Sequence, residues 1–242
     1  MKLEGRAALV TGAGHRVGRE LAVALGAQGM NVAVHFNSSR DEADETVRLI
    51  AAAGGKGHAL QADLAEARGP MLVVQEAHRK LGALHVVVNS AAVMTRHPFA
   101  DISVADWDAT MSLNLRAPFF VCQAAAGVMT DGGAIVNIAD LAAFENWPAY
   151  VHHGISKNGI VKMTQSLARV LAPSIRVNAI APGAVLLPDD WSDVVGERLS
   201  DTTPMRRLGD PGDVVGAMMY LLQADFVTGE TIIVDGGRHI RK

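Results

Sequence analysis

A series of short apolar runs with no polar alternation sets the architecture of this chain. The runs are Ala7-Ala8-Leu9-Val10, Asn31 to Phe36, Leu84 to Asn89 with Val-Val-Val at its centre, Ala134 to Ala139, Ile175 to Ile180 and Thr231 to Val234; His58 to Gln61 is a weaker one. A strand with one wet face alternates apolar and polar residues, so runs like these predict strands buried on both faces. Helical stretches separate them. Val17 to Ala27 closes at Gly29, and Asp41 to Ala53, with Val47, Ile50 and Ala51 apolar, closes at Gly54-Gly55. Met71 to Leu81, Trp107 to Met129, a stretch carrying Lys157, and Asp213 to Leu222 follow. Trp107 to Met129 reads as one long helix with a bend near Pro118, because proline has no backbone N–H to donate.

Strand and helix thus alternate seven times. The expected fold is α/β: a single doubly wound Rossmann domain over residues 1–242, with a seven-stranded parallel sheet and helices on both faces. No internal repeat or linker divides it. Residues 182–207 contain no clear element and are expected to form a substrate lid. The length suits one large domain, and with 49% hydrophobic and 19% charged residues a sizeable core can be buried. A net charge of −3, with no basic run longer than Arg238 to Lys242, gives no case for nucleic acid. No apolar stretch reaches about 18 residues, so no membrane span is expected. Cys122 is alone and excludes an internal disulfide, in keeping with a reducing compartment. Met1-Lys2-Leu3-Glu4-Gly5 leads directly into a strand without a signal-peptide pattern. The expectation is a cytoplasmic protein acting on a small molecule, with no metal site.

Thr11-Gly12-Ala13-Gly14-His15-Arg16-Val17-Gly18 joins the first strand to the first helix. Glycines there let backbone N–H groups approach a pyrophosphate, and the helix N-terminus favours negative charge. About twenty residues on, an acid would read the 2′-hydroxyl of NAD. Here the second strand leaves as His35-Phe36-Asn37-Ser38-Ser39-Arg40, with no acid before Asp41, and Arg16 sits inside the turn. Arginine, histidine and serine can donate to a 2′-phosphate that a carboxylate would repel. NADP(H) is therefore expected rather than NAD(H).

The segment Asp140 to Lys157 is the second chemical feature. Asp140 stands where a strand ends, and Tyr150, His153 and Lys157 are spaced i, i+3, i+7, on one face of a helix. An acid, an imidazole, a phenol and an ammonium are therefore expected to converge at one strand-to-helix corner.

With these pieces in place the chain resembles the short-chain dehydrogenase/reductase family over essentially its whole length. The matching motifs are Thr11 to Gly18, Asp63-Leu64, Asn89-Ser90-Ala91-Ala92, Asn114, the corner with Lys157, Arg176-Val177-Asn178, Pro182-Gly183 and Val234-Asp235-Gly236-Gly237. The resemblance implies a coenzyme site of Gly12, Gly14, Arg16, Val17, Gly18, His35, Asn37, Ser38 and Ser39, with Asp63 and Leu64 against the adenine. It places Asn89 and Ala91 along the coenzyme, Pro182 and Gly183 beside the nicotinamide, Lys157 on its ribose and Asn114 on a proton-relay water. It also implies a homotetramer or homodimer. Within the family the chain is most similar to the pteridine-reductase-like branch: Arg16 replaces a turn glycine, the second strand exits as His-Phe-Asn-Ser-Ser, and Asp140 stands where most members carry a catalytic serine. The family places its catalytic tyrosine four residues before the lysine, where this chain has His153; Tyr150 lies three residues earlier. The stacking aromatic of parasite pteridine reductases falls at Met94.

A histidine titrates near pH 6.5, closer to working conditions than a tyrosine near 10. Lys157 would lower that value and Asp140, within reach, would raise it. The sequence therefore supports an NADPH-dependent reductase of a carbonyl or pterin-like C=N group, with His153 as proton donor tuned by Asp140 and Lys157. Tyr150 donating while His153 orients it is the alternative within the site. A catalytically inactive NADPH-binding sensor or assembly protein is the alternative on the same fold. Leu186, Leu187 and Trp191 are candidate apolar lid residues, and Arg96 and His97 follow the fourth strand into the crevice. His152, about 100° off the His153 face, reads as structural, and Trp107 and Met111 as core. Arg238, His239 and Arg241 read as a solvated tail or a contact to a neighbouring subunit.

Overall fold

The computed structural model describes residues 1–186 and 193–240. Seven parallel strands form one sheet in the order β3-β2-β1-β4-β5-β6-β7: β1 Ala7–Thr11, β2 Asn31–Phe36, β3 Lys56–Gln61, β4 Val86–Asn89, β5 Gly133–Ile138, β6 Ile175–Pro182 and β7 Thr231–Val234. The helices are α1 Arg16–Ala27, α2 Arg40–Ala52, α3 Gly69–Leu81, α4 Val104–Met111, α5 Ala117–Ala126, α6 Val151–Leu171, α7 Asp193–Thr202 and α8 Pro211–Gln223. The fold is the doubly wound one read from the apolar runs.

Neighbouring residues of each central strand feed opposite cores. Ala8, Val10, Val86 and Val88 pack with Leu21 and Leu25 of α1, Ile50 of α2 and Met218 and Leu221 of α8. Leu9 and Val87 point the other way, against Val73 and Val74 of α3, Val121 and Ala125 of α5 and Ala168 of α6. Each such side chain, fully buried, contributes roughly 1.5–3 kcal/mol of transfer free energy. The chain enters at β1, builds outward to β3, then crosses to β4 on the other side of β1. That reversal opens a crevice at the carboxyl ends of β1 and β4, where such sheets hold their ligands.

Four local expectations are corrected. The long helix begins at Val104, capped reciprocally by Ser103 and Asp106, and is interrupted by a π-helical turn over Ser112–Arg116 before α5. Pro118 has no N–H for the preceding turn, and the backbone widens just ahead of it. The widened turn carries Asn114, whose side chain is buried. Trp107 is 40% exposed rather than core, and Met111 is half-buried. Residues 182–207 are not free of structure: β6 continues to Pro182 and α7 occupies Asp193–Thr202. Finally, α6 starts at Val151, so Tyr150 is its N-cap, with φ −138° and ψ 33°, and not a helical residue. His153 and Lys157 share the helix face without it.

Candidate active site

The glycine turn is shaped by two close approaches. Gly12 has φ +64°, and a Cβ there would lie 2.8 Å from Ala91 Cα; a Cβ on Gly18 would lie 2.2 Å from the Gly12 carbonyl oxygen. No side chain fits either position. Gly14 is looser, its nearest neighbour 3.6 Å from a would-be Cβ. Arg16 adopts φ +54° without being glycine, a left-handed conformation unfavourable for a side-chain-bearing residue, and its guanidinium donates to the Leu186 carbonyl at 2.6 Å. Thr11 Oγ1 accepts from the N–H groups of Ser90 and Ala91 at 3.0 and 3.2 Å, fixing the end of β4 against the turn. His15, the N-cap of α1, makes no side-chain cap, so its first N–H groups remain oriented for an anion.

A cleft of about 590 Å³ runs from this turn to Pro182 and Gly183. Val17, Asn37, Ser38, Ser39, Asp63, Leu64, Ala91, Asp140, His153 and Lys157 also line it. Asn37 and Ser38 are exposed and Ser39 half-buried. Asp63 Oδ1 accepts from Ala65 N–H at 2.8 Å, and Leu64 is buried. Two predicted residues behave otherwise. Asn89 does not reach the cleft; its amide donates to Asn137 Oδ1 at 2.9 Å and Cys122 Sγ at 3.3 Å, bracing β4 against β5 and α5. His35 lines the cleft but is not a donor to it. Its Nδ1 accepts from Gly12 N–H at 3.1 Å and its Nε2 therefore donates to the Ala62 carbonyl at 3.0 Å. Burial lowers its pKa, so the ring is a neutral strut under the glycine turn.

At the far end of the cleft Asp140 and His153 meet, with Oδ2 to Nε2 at 2.6 Å. The imidazole is 2% exposed and the Asp140 side chain 20%. The second Asp140 oxygen accepts from Ala142 N–H at 2.8 Å, capping the short turn Leu141–Ala143 that precedes α6. His153 Nδ1 lies 3.1 Å from the Val93 carbonyl and 3.3 Å from Asn114 Nδ2. Both ring nitrogens thus face oxygen acceptors, and the ring can carry a hydrogen on each. Asn114 grips Val93 twice, accepting its N–H and donating to its carbonyl, each at 2.8 Å. Lys157 Nζ is buried and donates to the Ile138 carbonyl at 3.0 Å. Burial lowers the lysine's pKa, and the Asp140 charge offsets part of that. Burial pushes the Asp140 carboxyl up, but the His153 hydrogen bond, the Lys157 charge and the Ala142 N–H outweigh it and hold the group below the usual carboxylate range.

Tyr150 lies apart. It makes no hydrogen bond to His153 among the described residues and lines a second cavity of about 440 Å³ with Met94, Arg96, Trp147 and Arg238. Arg16, Met94, Asp140, Pro182, Gly183 and Leu186 border both cavities. Arg96 and Leu186 are thus at the site; Leu187, Trp191 and Arg241 lie outside the described residues. His97 faces Asp106 at 3.7 Å and the His152 ring at 5.8 Å instead. His152 is fully buried, its Nε2 3.1 Å from Thr95 Oγ1, a structural place. Sequence reasoning missed Trp147 and the Val93 carbonyl, and it read Arg238 as a solvated tail or a contact to a neighbouring subunit. Arg238 folds back to 3.9 Å from Glu145, and His239 pairs with Asp235 at 2.8 Å. No motif announces Trp147 or Val93: their roles come from the loops that flank β4 and α6.

Residues 12–239 match the family model described as enoyl-(acyl carrier protein) reductase. The 3-oxoacyl-[acyl-carrier-protein] reductase FabG of Staphylococcus aureus is 32% identical over 242 residues, covering 97% of this chain and 98% of that protein. Among solved structures, a short-chain dehydrogenase/reductase variant of Serratia marcescens superposes with a TM-score of 0.92 at 30% identity, covering 99% of this chain and all of that one. The angucycline C-6 ketoreductase LanV with bound NADP gives 0.91 at 30% identity, covering 99% and 98%. Full-length agreement in sequence and in fold leaves one assignment: the chain belongs to the short-chain dehydrogenase/reductase family of oxidoreductases.

Proposed function

We propose that the protein is an NADP(H)-dependent reductase of a carbonyl or pterin-like C=N group, in which the Asp140–His153 pair supplies the proton. The coenzyme fits the cleft on local grounds. The turn is kept clear of side chains at Gly12 and Gly18, the α1 N-terminus is uncapped by a side chain, and the exit of β2 has no acid before Asp41. LanV, of the same fold, is solved with NADP. On this reading Arg16 and Ser38 would meet the 2′-phosphate, Lys157 the nicotinamide ribose, and Asp63 and Leu64 the adenine; all of them line the cleft. When bound, NADPH supplies the hydride. The chain supplies the rest. Asp140 borders both cavities, so a substrate oxygen or nitrogen seated at their junction stands next to the 2.6 Å contact with His153. Charge developing on that atom is met by the hydrogen of His153 Nε2, passed on through Asp140; this leaves a neutral imidazole and the Asp140 carboxylate, which Lys157 stabilises.

The contact between Asp140 and His153 carries this reading. A His153→Phe variant tests it: turnover falls about 10²–10⁴-fold while NADPH binding persists. Full activity in that variant would overturn it. One observation favours a second reading, an NADPH-binding protein without turnover: the imidazole is 2% exposed and both nitrogens are engaged within the chain. NADPH oxidation across dihydropterins, quinones and diketones, set against NADPH binding alone, separates the two. The α4 and α5 surfaces expose Val104, Trp107, Phe119 and Phe120, which supports a homotetramer or homodimer; light scattering in solution measures it. No helix among the described residues is long and apolar enough to cross a membrane, and we place the protein in the cytoplasm.

A further inference from the structure

The second cavity, about 440 Å³, has a distinctive wall. Trp147 and Tyr150 line it with ring centroids 6.1 Å apart and planes at 76°. The Trp147 indole N–H donates to the Glu145 carboxylate at 2.8 Å, which fixes the ring's orientation. Met94 and Leu141 add polarisable and apolar surface. Flat π-systems gain from such rings and from a neighbouring thioether. Three arginines line the same cavity: Arg16 donates to the Leu186 carbonyl, Arg238 lies 3.9 Å from Glu145, and Arg96 is exposed, with no hydrogen bond or ion pair to another described residue. Its position is nevertheless set, because the next residue, His97, donates its N–H to the Ala149 carbonyl at 2.9 Å and ties the loop to the turn that carries both rings. Among the described lining residues Asp140 has the one carboxylate, and it borders the coenzyme cleft.

Resting on the reductase reading above, we propose that the substrate is a flat conjugated ketone bearing a carboxylate, its ring system against Trp147 and Tyr150 and its anion on Arg96. The charges orient it. An anion at Asp140 is repelled, so the ketone turns to Asp140 and the carboxylate to the guanidinium, whose planar donor fork matches it. An uncharged ketone of the same shape leaves Arg96 without a partner, and a flexible aliphatic keto acid forgoes the aromatic wall.

The test compares an acetylnaphthoate, the corresponding acetylnaphthalene and an aliphatic keto acid of similar length, by NADPH oxidation and, in parallel, by calorimetric binding to the NADP⁺-loaded protein. The acetylnaphthoate is expected to have the highest kcat/KM and the tightest binding. Arg96→Gln, an exposed substitution that spares the fold, is expected to cost it roughly tenfold to a hundredfold more than it costs the uncharged ketone. Equal preference for charged and uncharged ketones, equal losses in Arg96→Gln, or tighter binding of the aliphatic acid would each overturn the proposal. If no ketone turns over while NADPH binds, the reductase reading fails on its own, and the calorimetric preference still decides the ligand class.

Discussion

Replacing Asp140 with Asn exchanges one oxygen for an amide NH₂ at nearly constant shape. The retained oxygen still accepts the Ala142 N–H, now 2.8 Å away. The new NH₂ faces His153 Nε2 across a 2.6 Å contact, donor against donor. The ring can relieve this by moving its hydrogen to Nδ1, where the Val93 carbonyl accepts at 3.1 Å. His153 then persists as a neutral tautomer and no longer supports a hydrogen on both nitrogens. A hydrogen bond to a charged acceptor is worth roughly 1.5–3 kcal/mol and the neutral replacement about 0.5–1.5, so the net loss is about 1–2 kcal/mol. For a chain of this size that lowers Tm by roughly 2–8 °C. Turnover falls further, by about 10²–10⁴, because the proton store is gone. The pH dependence has a definite sign. The folded carboxyl of Asp140 sits below its unfolded value, so its contribution is present above the unfolded pKa of about 3.9 and disappears as pH drops through the folded one. Wild type and variant therefore converge in stability in strong acid. NADPH oxidation gives the activity, thermal unfolding against pH gives the stability, and nitrogen NMR of His153 reads the tautomer. A variant keeping more than about a tenth of wild-type turnover would show that the pair is not the proton source.

Four other outcomes are expected. Gly18→Ala, whose Cβ would stand 2.2 Å from the Gly12 carbonyl oxygen, loses NADPH binding in a fluorescence titration and several degrees of Tm, whereas Gly14→Ala, with 3.6 Å of room, keeps most of both. Arg16→Gly relieves a left-handed arginine at φ +54° but removes the cation, so Tm holds or rises while the kcat/KM preference for NADPH over NADH drops roughly tenfold. Burial lowers the pKa of His35 and of His152; near pH 6.5 the unfolded chain binds protons more readily than the folded one, so stability is present above that pH and falls as pH drops below it, by up to about 1.4 kcal/mol per pH unit per group, and less steeply in His35→Gln. Asp140→Ser and His153→Tyr, made singly, each leave a mismatched pair, and the double variant is expected to exceed both in turnover; a double variant below its better single would count against their interdependence.

The sheet was legible because a strand buried on both faces is mostly apolar, and the central strands are, apart from Thr11, Asn89 and Asn137. Local geometry was less so. A π turn leaves no sequence mark beyond a proline a few residues on, so the widening at Ser112–Arg116 that carries Asn114 was read as an ordinary bend. Tyr150 has the right spacing for the helix face, yet the helix begins one residue later and its ring turns to Trp147. Histidine beside a phosphate turn suggests a donor; only coordinates show that Gly12 N–H already occupies Nδ1. Arg238 looked like tail because nothing in its neighbourhood names Glu145, far away in sequence, as a partner.

The acid and the imidazole at this corner make sense only together. His153 and Lys157 are one helical turn apart on α6, and side chains so spaced have Cβ atoms about 6 Å from each other. Two positive charges at that distance, at an effective dielectric constant near 20, repel by roughly 3 kcal/mol. A phenol in place of His153 would be neutral when loaded with its proton, and the lysine charge would help it ionise. An imidazole is charged when loaded, and the same lysine works against it. Something anionic must lie closer to the ring than the ammonium does, and Asp140, at 2.6 Å, is that group. A hydroxyl in its place could orient the ring but could not balance the charge. The carboxylate also needs a reason to stay ionised where burial opposes it, and Lys157 together with the Ala142 N–H provides one. On the proposed reading, an imidazole proton donor thus requires an acid just beyond β5, and Asp140 meets that requirement from the last residue before the turn that leads into α6.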